Sequence, residues 1–198
     1  MSDVPPRSAT VERETAETRV AVRLHLDGGG YRTATGVGFL DHLLDLFAKH
    51  GGFGLEVTCE GDLHVDDHHT VEDVGIALGR ALREALGDKA HVERYGHAYV
   101  PMDEALARAV IDLAGRYGFH FAARFDRERV GDLSTEMVRH FWDSVAQEAR
   151  IALHLTVLYG ENDHHRIEAL FKAAARAFRL AVRRDAANAA VASTKGSL

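Results

Sequence analysis

Arg19-Val-Ala-Val-Arg-Leu-His-Leu26 alternates polar and apolar positions, the two-residue period of a strand buried on one face. Gly28-Gly29-Gly30 then turns the chain. From Phe39 to His50 the apolar residues fall at helical spacing, and Gly51-Gly52 supplies a helix stop. Phe53 to Cys59 alternates again as a strand, Gly61-Asp62 makes a turn, and His68 to Leu86 predicts a longer helix closed by Gly87. Farther on, Ala98 to Val100, Leu106 to Leu113 and Phe119 to Phe125 read as strands. Ser134-Thr135-Glu136 opens a helix to about Ala149, with Ser134 or Thr135 as its N-cap. Ile151 to Leu158 is a strand, Gly160 a turn, and His164 to Arg184 the final helix. Residues 1 to about 16 are polar and read as mobile until something binds them; residues 185 to 198 read as a tail of small and polar residues.

The order helix, strand, turn, histidine-rich helix occurs twice. Helices on one face of mostly antiparallel or mixed strands predict an α+β sandwich built from two similar α/β half-domains. Neither half shows a convincing core of its own. The expectation is one domain over 1–198, with pseudo-repeats at about 10–95 and 96–185 and a tail at 186–198.

Composition narrows the function classes. With 198 residues, 46% of them hydrophobic, the chain can bury a sizeable core. A formal net charge of -6 argues against nucleic acid or an anionic membrane as partner. A small anionic substrate would need a local basic pocket. The single cysteine, Cys59, excludes an internal disulfide, suits the reducing cytosol and reads as a buried strand position. The N-terminus has no secretory signal and no apolar run is long enough to span a membrane, so the expected location is cytoplasmic. Histidine is the outlier, with 13 copies.

Asp67-His68-His69-Thr70-Val71-Glu72 recurs 96 residues later as Asp163-His164-His165-Arg166-Ile167-Glu168. On a helix, each copy sets two imidazoles and a carboxylate within about one turn. Asp67 and Asp163 precede the helices and read as N-caps. His42 has a counterpart 98 residues on, in His140. Two matched sets result: His42, His68, His69 and Glu72, then His140, His164, His165 and Glu168. A lone helix histidine is ordinarily a surface residue, but the whole set repeated at matched positions points to metal. Imidazole with carboxylate suits divalent first-row ions, and the lack of cysteine ligands argues against a thiolate zinc site. How the ligands divide between sites or subunits stays open. Lys172 stacks beyond His164 and Glu168 at i+8, where the first copy has Ile76. A lysine beside a metal points to an anionic substrate group such as phosphate, although a solvated helix lysine has the same spacing. The rivals are a dinuclear metallohydrolase, a ferritin-like metal store and a metal-bridged structural assembly.

Phe39-Leu-Asp-His-Leu-Leu-Asp45, Gly61-Asp-Leu-His-Val-Asp-Asp-His-His-Thr-Val-Glu-Asp73 and Asn162-Asp-His-His-Arg-Ile-Glu168 closely resemble the imidazoleglycerol-phosphate dehydratases of histidine biosynthesis. Pro101-Met-Asp-Glu104, Arg129-Val-Gly-Asp-Leu-Ser-Thr-Glu136, Phe171-Lys-Ala-Ala-Ala-Arg176 and Ser193-Thr-Lys-Gly196 extend the resemblance from about Arg13 to Leu198. The resemblance implies a fold of the ribosomal protein S5 domain 2-like class and a hydro-lyase that converts imidazole glycerol phosphate to imidazole acetol phosphate. It implies two manganese ions per active site, with an imidazolate and a diazafulvene on the path. It also implies an octahedral 24-mer of trimers with active sites at subunit interfaces. By position, Glu17 becomes an acid/base that orders on binding, with Glu72 and Glu168 as metal-side alternatives. Arg94, Arg116, Lys172, Ser193, Thr194 and Lys195 become substrate contacts, chiefly to phosphate, and His50 lies near the substrate. There are departures. Leu46 stands where the family commonly has Gln, Thr194 replaces a Ser, and Tyr117-Gly118 follows Arg116 where Pro often stands. The phosphatase segment fused to some relatives has no room here.

Overall fold

Two four-stranded sheets with the same internal order enclose four helices in a computed structural model that describes residues 7–185 and 192–193. The first half contains β1 (Ser8–Glu14), β2 (Thr18–His25), β3 (Tyr31–Ala34), α1 (Gly38–Gly51), β4 (Gly54–Gly61) and α2 (His68–Leu86). The second contains β5 (Tyr95–Met102), β6 (Ala105–Asp112), β7 (Gly118–Ala122), a small hairpin of β8 (Arg129–Val130) and β9 (Leu133–Ser134), α3 (Glu136–Ala149), β10 (Ala152–Tyr159) and α4 (Asp163–Ala181). The sheets run β1-β2-β4-β3 and β5-β6-β10-β7. They are antiparallel except for β3 beside β4 and β7 beside β10, which are parallel. The architecture is α+β, with two similar half-domains.

Alternation explains why each sheet has one covered face. On β2, Val20, Val22 and Leu24 are buried while Arg19, Arg23 and His25 are exposed. Such a strand feeds one core and leaves its other side to water. α2 packs on β1 and β2, and α4 packs on β5 and β6. The helices also meet across the halves, α2 on α3 and α1 on α4. One continuous core of buried side chains therefore runs from Val11 to Val182. Cys59 is buried on β4, and burial pushes its thiol up to about 11. No helix among the described residues is long and apolar enough to cross a membrane.

Some sequence expectations are corrected. Ser8 to Glu14 is not a mobile segment but an edge strand, registered on β2 from Ser8 opposite His25 to Glu14 opposite Arg19. Its only buried residue is Val11, so backbone hydrogen bonds rather than an apolar stripe hold it. Charged side chains on such an edge also discourage pairing with other chains. β3 escaped notice for the same reason: it is short, polar and largely exposed. The strand expected to reach Phe125 stops at Ala122, and the last helix spans Asp163–Ala181 rather than running to Arg184.

Neither aspartate before a histidine pair caps its helix with its side chain. Asn162 caps α4, its side chain accepting from the His164 N–H, and Asp163 is already helical. Asp67 sits at the N-cap position of α2 but makes no capping bond. Both carboxylates are buried and reach sideways instead. Asp67 accepts from the Ser134 N–H at 2.6 Å and its hydroxyl at 2.7 Å. Asp163 accepts from the Asp126 and Arg127 N–H groups, each at 2.8 Å. Asp132, on the same loop, accepts from the N–H groups of Gly38 and Phe39 and so caps α1 from the other half. Thr135 holds the N-cap position of α3, yet its hydroxyl donates to the Arg127 carbonyl. One loop thus fixes the starts of α1, α2 and α4, the three turns that carry most of the candidate ligands.

Gly75 and Gly79 set how closely α2 and α3 approach. A Cβ on Gly75 would lie 2.9 Å from the Phe141 carbonyl oxygen, and one on Gly79 2.7 Å from that of Val145. Alanine would add helix propensity of about 1 kcal/mol, but overpacking against backbone costs about 1–3 kcal/mol. Gly79→Ala should therefore lower the urea midpoint of the metal-free protein. A raised midpoint would show that α3 can move aside at no cost.

Candidate metal centre

The fold regroups the eight predicted ligands. α1 lies on α4, so His42 of the first half meets His164 and Glu168 of the second. α2 lies on α3, so His140 of the second half meets His68 and Glu72 of the first. In each cluster, one ligand atom per residue lies within 4.8 Å of the others. The matched sets read from the sequence listed His42 with the α2 residues and His140 with the α4 residues and left the division between sites open; helix packing pairs them across the halves.

Distances show the convergence. His42 Nε2 and His164 Nε2 lie 2.8 and 2.9 Å from the same Glu168 oxygen, Oε1. His140 Nε2 lies 3.0 Å from Glu72 Oε1, and the His68 and His140 ring centroids are 4.9 Å apart. The two sites differ in their carboxylates. The Glu168 side chain is 6% exposed, whereas that of Glu72 is 37% exposed. Lys172 donates to Glu168 Oε2 at 2.6 Å and contacts Met102 Sδ. Burial alone would raise the Glu168 carboxyl, but the Lys172 bond first, then those from His42 and His164, bring it down to about 2. Lys172 does stand one turn beyond Glu168, yet here its ammonium serves that carboxylate.

His69 and His165 join neither cluster within the chain. Each ring is nearly perpendicular to its neighbour, at 79° for His68–His69 and 87° for His164–His165. His69 Nδ1 lies 3.0 and 3.2 Å from the two Asp62 oxygens, and its Nε2 lies 3.6 Å from Glu17. His165 Nδ1 lies 2.7 Å from Glu104 Oε2, and its Nε2 lies 3.6 Å from Asp103. The Asp62 hydrogen bond raises the His69 pKa and the Glu104 bond raises that of His165.

Glu17 is exposed in the tight turn between β1 and β2, where Thr15 Oγ1 accepts from the Glu17 and Thr18 N–H groups. That turn joins two paired strands, where the sequence suggested an unstructured polar segment up to about residue 16. Arg94 grips Asp112 through two bonds of 2.7 and 3.1 Å and donates to the Ala192 carbonyl, beside Ser193. Arg116 is exposed on the bend before β7. His50 lies in the last turn of α1, where burial and then the Lys172 charge lower its pKa. Leu46 packs partly buried against the core, so the position commonly held by Gln makes an apolar contact here. Thr194 and Lys195 lie outside the described residues.

Asp62 and Glu104 went unassigned in the sequence, although both lie in quoted motifs. Counting back from the second strand of each half would have flagged Glu104, since Glu17 directly precedes β2 and Glu104 directly precedes β6.

A family model of imidazoleglycerol-phosphate dehydratase matches residues 35–178. The chain belongs to that family. The imidazoleglycerol-phosphate dehydratase of Salinibacter ruber is 70% identical over 194 residues, 98% of this chain and 96% of its own length. That of Aromatoleum aromaticum is 52% identical over 97% of this chain and its entire length. A bifunctional histidine biosynthesis protein of Xanthomonas axonopodis matches 98% of this chain at 51% identity but is covered over 56% of its own length. The crystal structure of the Staphylococcus aureus dehydratase superimposes with a TM-score of 0.82 at 40% identity, over 89% of this chain and 99% of that one. The enzyme is a dehydratase, a hydro-lyase of histidine biosynthesis.

Proposed function

We propose that the enzyme dehydrates imidazole glycerol phosphate to imidazole acetol phosphate with divalent manganese held by the two histidine–carboxylate clusters. The observation that carries this reading is the double convergence of two imidazoles and a carboxylate at sites free of thiolate. That donor set fits a divalent first-row ion. His42, His164 and Glu168 would hold one ion, and His68, His140 and Glu72 the other. His69 and His165, turned away from both clusters, would complete sites on neighbouring copies, which makes metal a promoter of a large assembly, a 24-mer of trimers. When bound, the ion supplies Lewis-acid stabilisation of charge on an imidazole nitrogen.

The overall chemistry balances as loss of one water. The hydroxyl on the carbon next to the ring leaves, the neighbouring carbinol carbon gives up its proton, and the resulting enol becomes the ketone. That carbinol proton is not beside a carbonyl, so the electrons that expel the hydroxyl must come from the ring, through an imidazolate and a diazafulvene of the substrate. Glu17, an exposed carboxylate beside His69, is the proposed proton carrier. Arg94, Arg116 and Lys172, with Ser193, Thr194 and Lys195 of the tail, are the proposed phosphate contacts. They would hold the ring in register. Arg94 already bonds the tail at Ala192, which gives it a route to order that segment around the substrate.

Turnover of imidazole glycerol phosphate should be lost on chelation and return with added manganese. Full turnover in exhaustively chelated protein, confirmed metal-free by elemental analysis, would rule the metal out of the reaction.

A further inference from the structure

Glu104 is anchored more firmly than a surface carboxylate needs to be. Its Oε1 accepts from the Glu161 and Asn162 N–H groups at 3.0 and 2.8 Å, which fixes it to the turn that starts α4. Its other oxygen, Oε2, faces His165 Nδ1 at 2.7 Å. Glu104 sits in the two-residue turn between β5 and β6, and its neighbour Asp103 takes a left-handed φ of 48°. Asp is one of the few residues with a side chain that tolerates that conformation, which suits it to so tight a turn. An ionised carboxylate only accepts hydrogen bonds, so the Nδ1 facing it must carry the proton. The lone pair of neutral His165 is then on Nε2.

The first half reaches the same result by another route. Asp62, in the loop before α2, places both oxygens at His69 Nδ1. The residue matching Glu104, Glu17, is instead 3.6 Å from His69 Nε2. The two hairpin glutamates thus serve opposite nitrogens of equivalent rings. Both are exposed, but Glu104 is tied to backbone and ring, whereas the Glu17 carboxylate comes no closer than 3.6 Å to its ring.

We propose that Glu104 is a positioning residue that fixes the tautomer of His165, holding the proton on Nδ1 and presenting Nε2 as a metal donor, and that Asp62 does the same for His69. A carboxylate behind a ligating imidazole also raises its basicity toward the ion, and loss of such a partner costs about 10–100-fold in metal affinity. The proposal rests on the metal reading above and adds a role that the ligand set alone does not contain.

Glu104→Gln separates positioning from bracing. The Gln oxygen can still accept from the two backbone N–H groups, but its NH₂ then faces Nδ1 and demands the opposite tautomer, with the proton on Nε2. Turning the amide over would set NH₂ against two N–H donors. Manganese titration followed by the EPR signal of the free ion should show about 10–100-fold weaker binding in Glu104→Gln, while the metal-free protein melts as the wild type does. Wild-type manganese affinity in Glu104→Gln would overturn the proposal, since a residue that merely braces the hairpin tolerates Gln. Asp62→Asn repeats the test at His69 and decides the matter if Glu104→Gln does not fold; wild-type affinity there overturns it equally. His165→Ala is titrated alongside. Undiminished binding in that variant would remove His165 from the ligand set, the part of the metal reading on which the proposal rests, whereas loss in His165→Ala with none in Glu104→Gln rejects the tautomer role alone.

Discussion

Glu17→Gln should lower kcat by about 10²–10⁴-fold, the range for a positioned acid or base, with manganese content unchanged. The substitution keeps the size of the side chain and removes only its capacity to carry a proton. It should leave the fold intact, because the turn is built by Thr15 rather than by the Glu17 carboxylate. Thr15 Oγ1 accepts from the Glu17 and Thr18 N–H groups at 3.1 and 3.0 Å. The carboxylate makes no closer approach to His69 than 3.6 Å and is 52% exposed. Steady-state kinetics and elemental analysis on one preparation give both readouts. Wild-type turnover would remove Glu17 from the mechanism. Loss of metal together with turnover would make Glu17 a ligand instead of a proton carrier.

The helices and central strands were legible because their apolar periods are strong. Val20, Val22 and Leu24 announce β2, and the duplicated histidine motif marks the starts of α2 and α4. The edge strands β1 and β3 were not, because an edge is held by backbone bonds and carries polar side chains whose order resembles a loop. The site was legible as a list of ligands but not as a grouping. Matching along the chain lists His42 with the α2 residues and leaves the division open, whereas the packing of α1 on α4 hands it to Glu168. That pairing is a property of helix contacts between halves, and no local pattern encodes it. Asp67 and Asp163 illustrate the same limit. An aspartate just before a helix ordinarily caps it, yet here both carboxylates turn to a loop more than 30 residues away in sequence, at separations of 67 to Ser134 and 37 to Asp126. Lys172 was legible as special through its mismatch with Ile76. Its partner became visible only once both oxygens of Glu168 were accounted for.

Glu168→Gln and Glu72→Gln should both lose manganese, but they should differ in stability. Glu168 is buried, and its Oε2 is the counter-charge of Lys172, whose side chain is 14% exposed. Removing one partner of such a pair strands the other charge at a cost of about 3 kcal/mol, the low end for buried pairs because Lys172 keeps some contact with water. Glu72 has no such lysine, since Ile76 stands at that place, and its half-exposed carboxylate lies 3.0 Å from His140 Nε2 in the cluster with His68. Its loss should cost under about 1 kcal/mol, as for exposed ion pairs. Urea unfolding of the chelated proteins isolates these terms from metal binding. Equal midpoints for the two variants would reject the asymmetry, and full manganese occupancy in Glu168→Gln would reject the ligand assignment. Adding Lys172→Met to Glu168→Gln removes the stranded ammonium while keeping an unbranched side chain of similar reach. The double variant should regain most of the lost stability but none of the metal. Recovery of stability without recovery of metal would then separate the two functions of Glu168, as counter-ion to a largely buried lysine and as the carboxylate on which His42 and His164 converge.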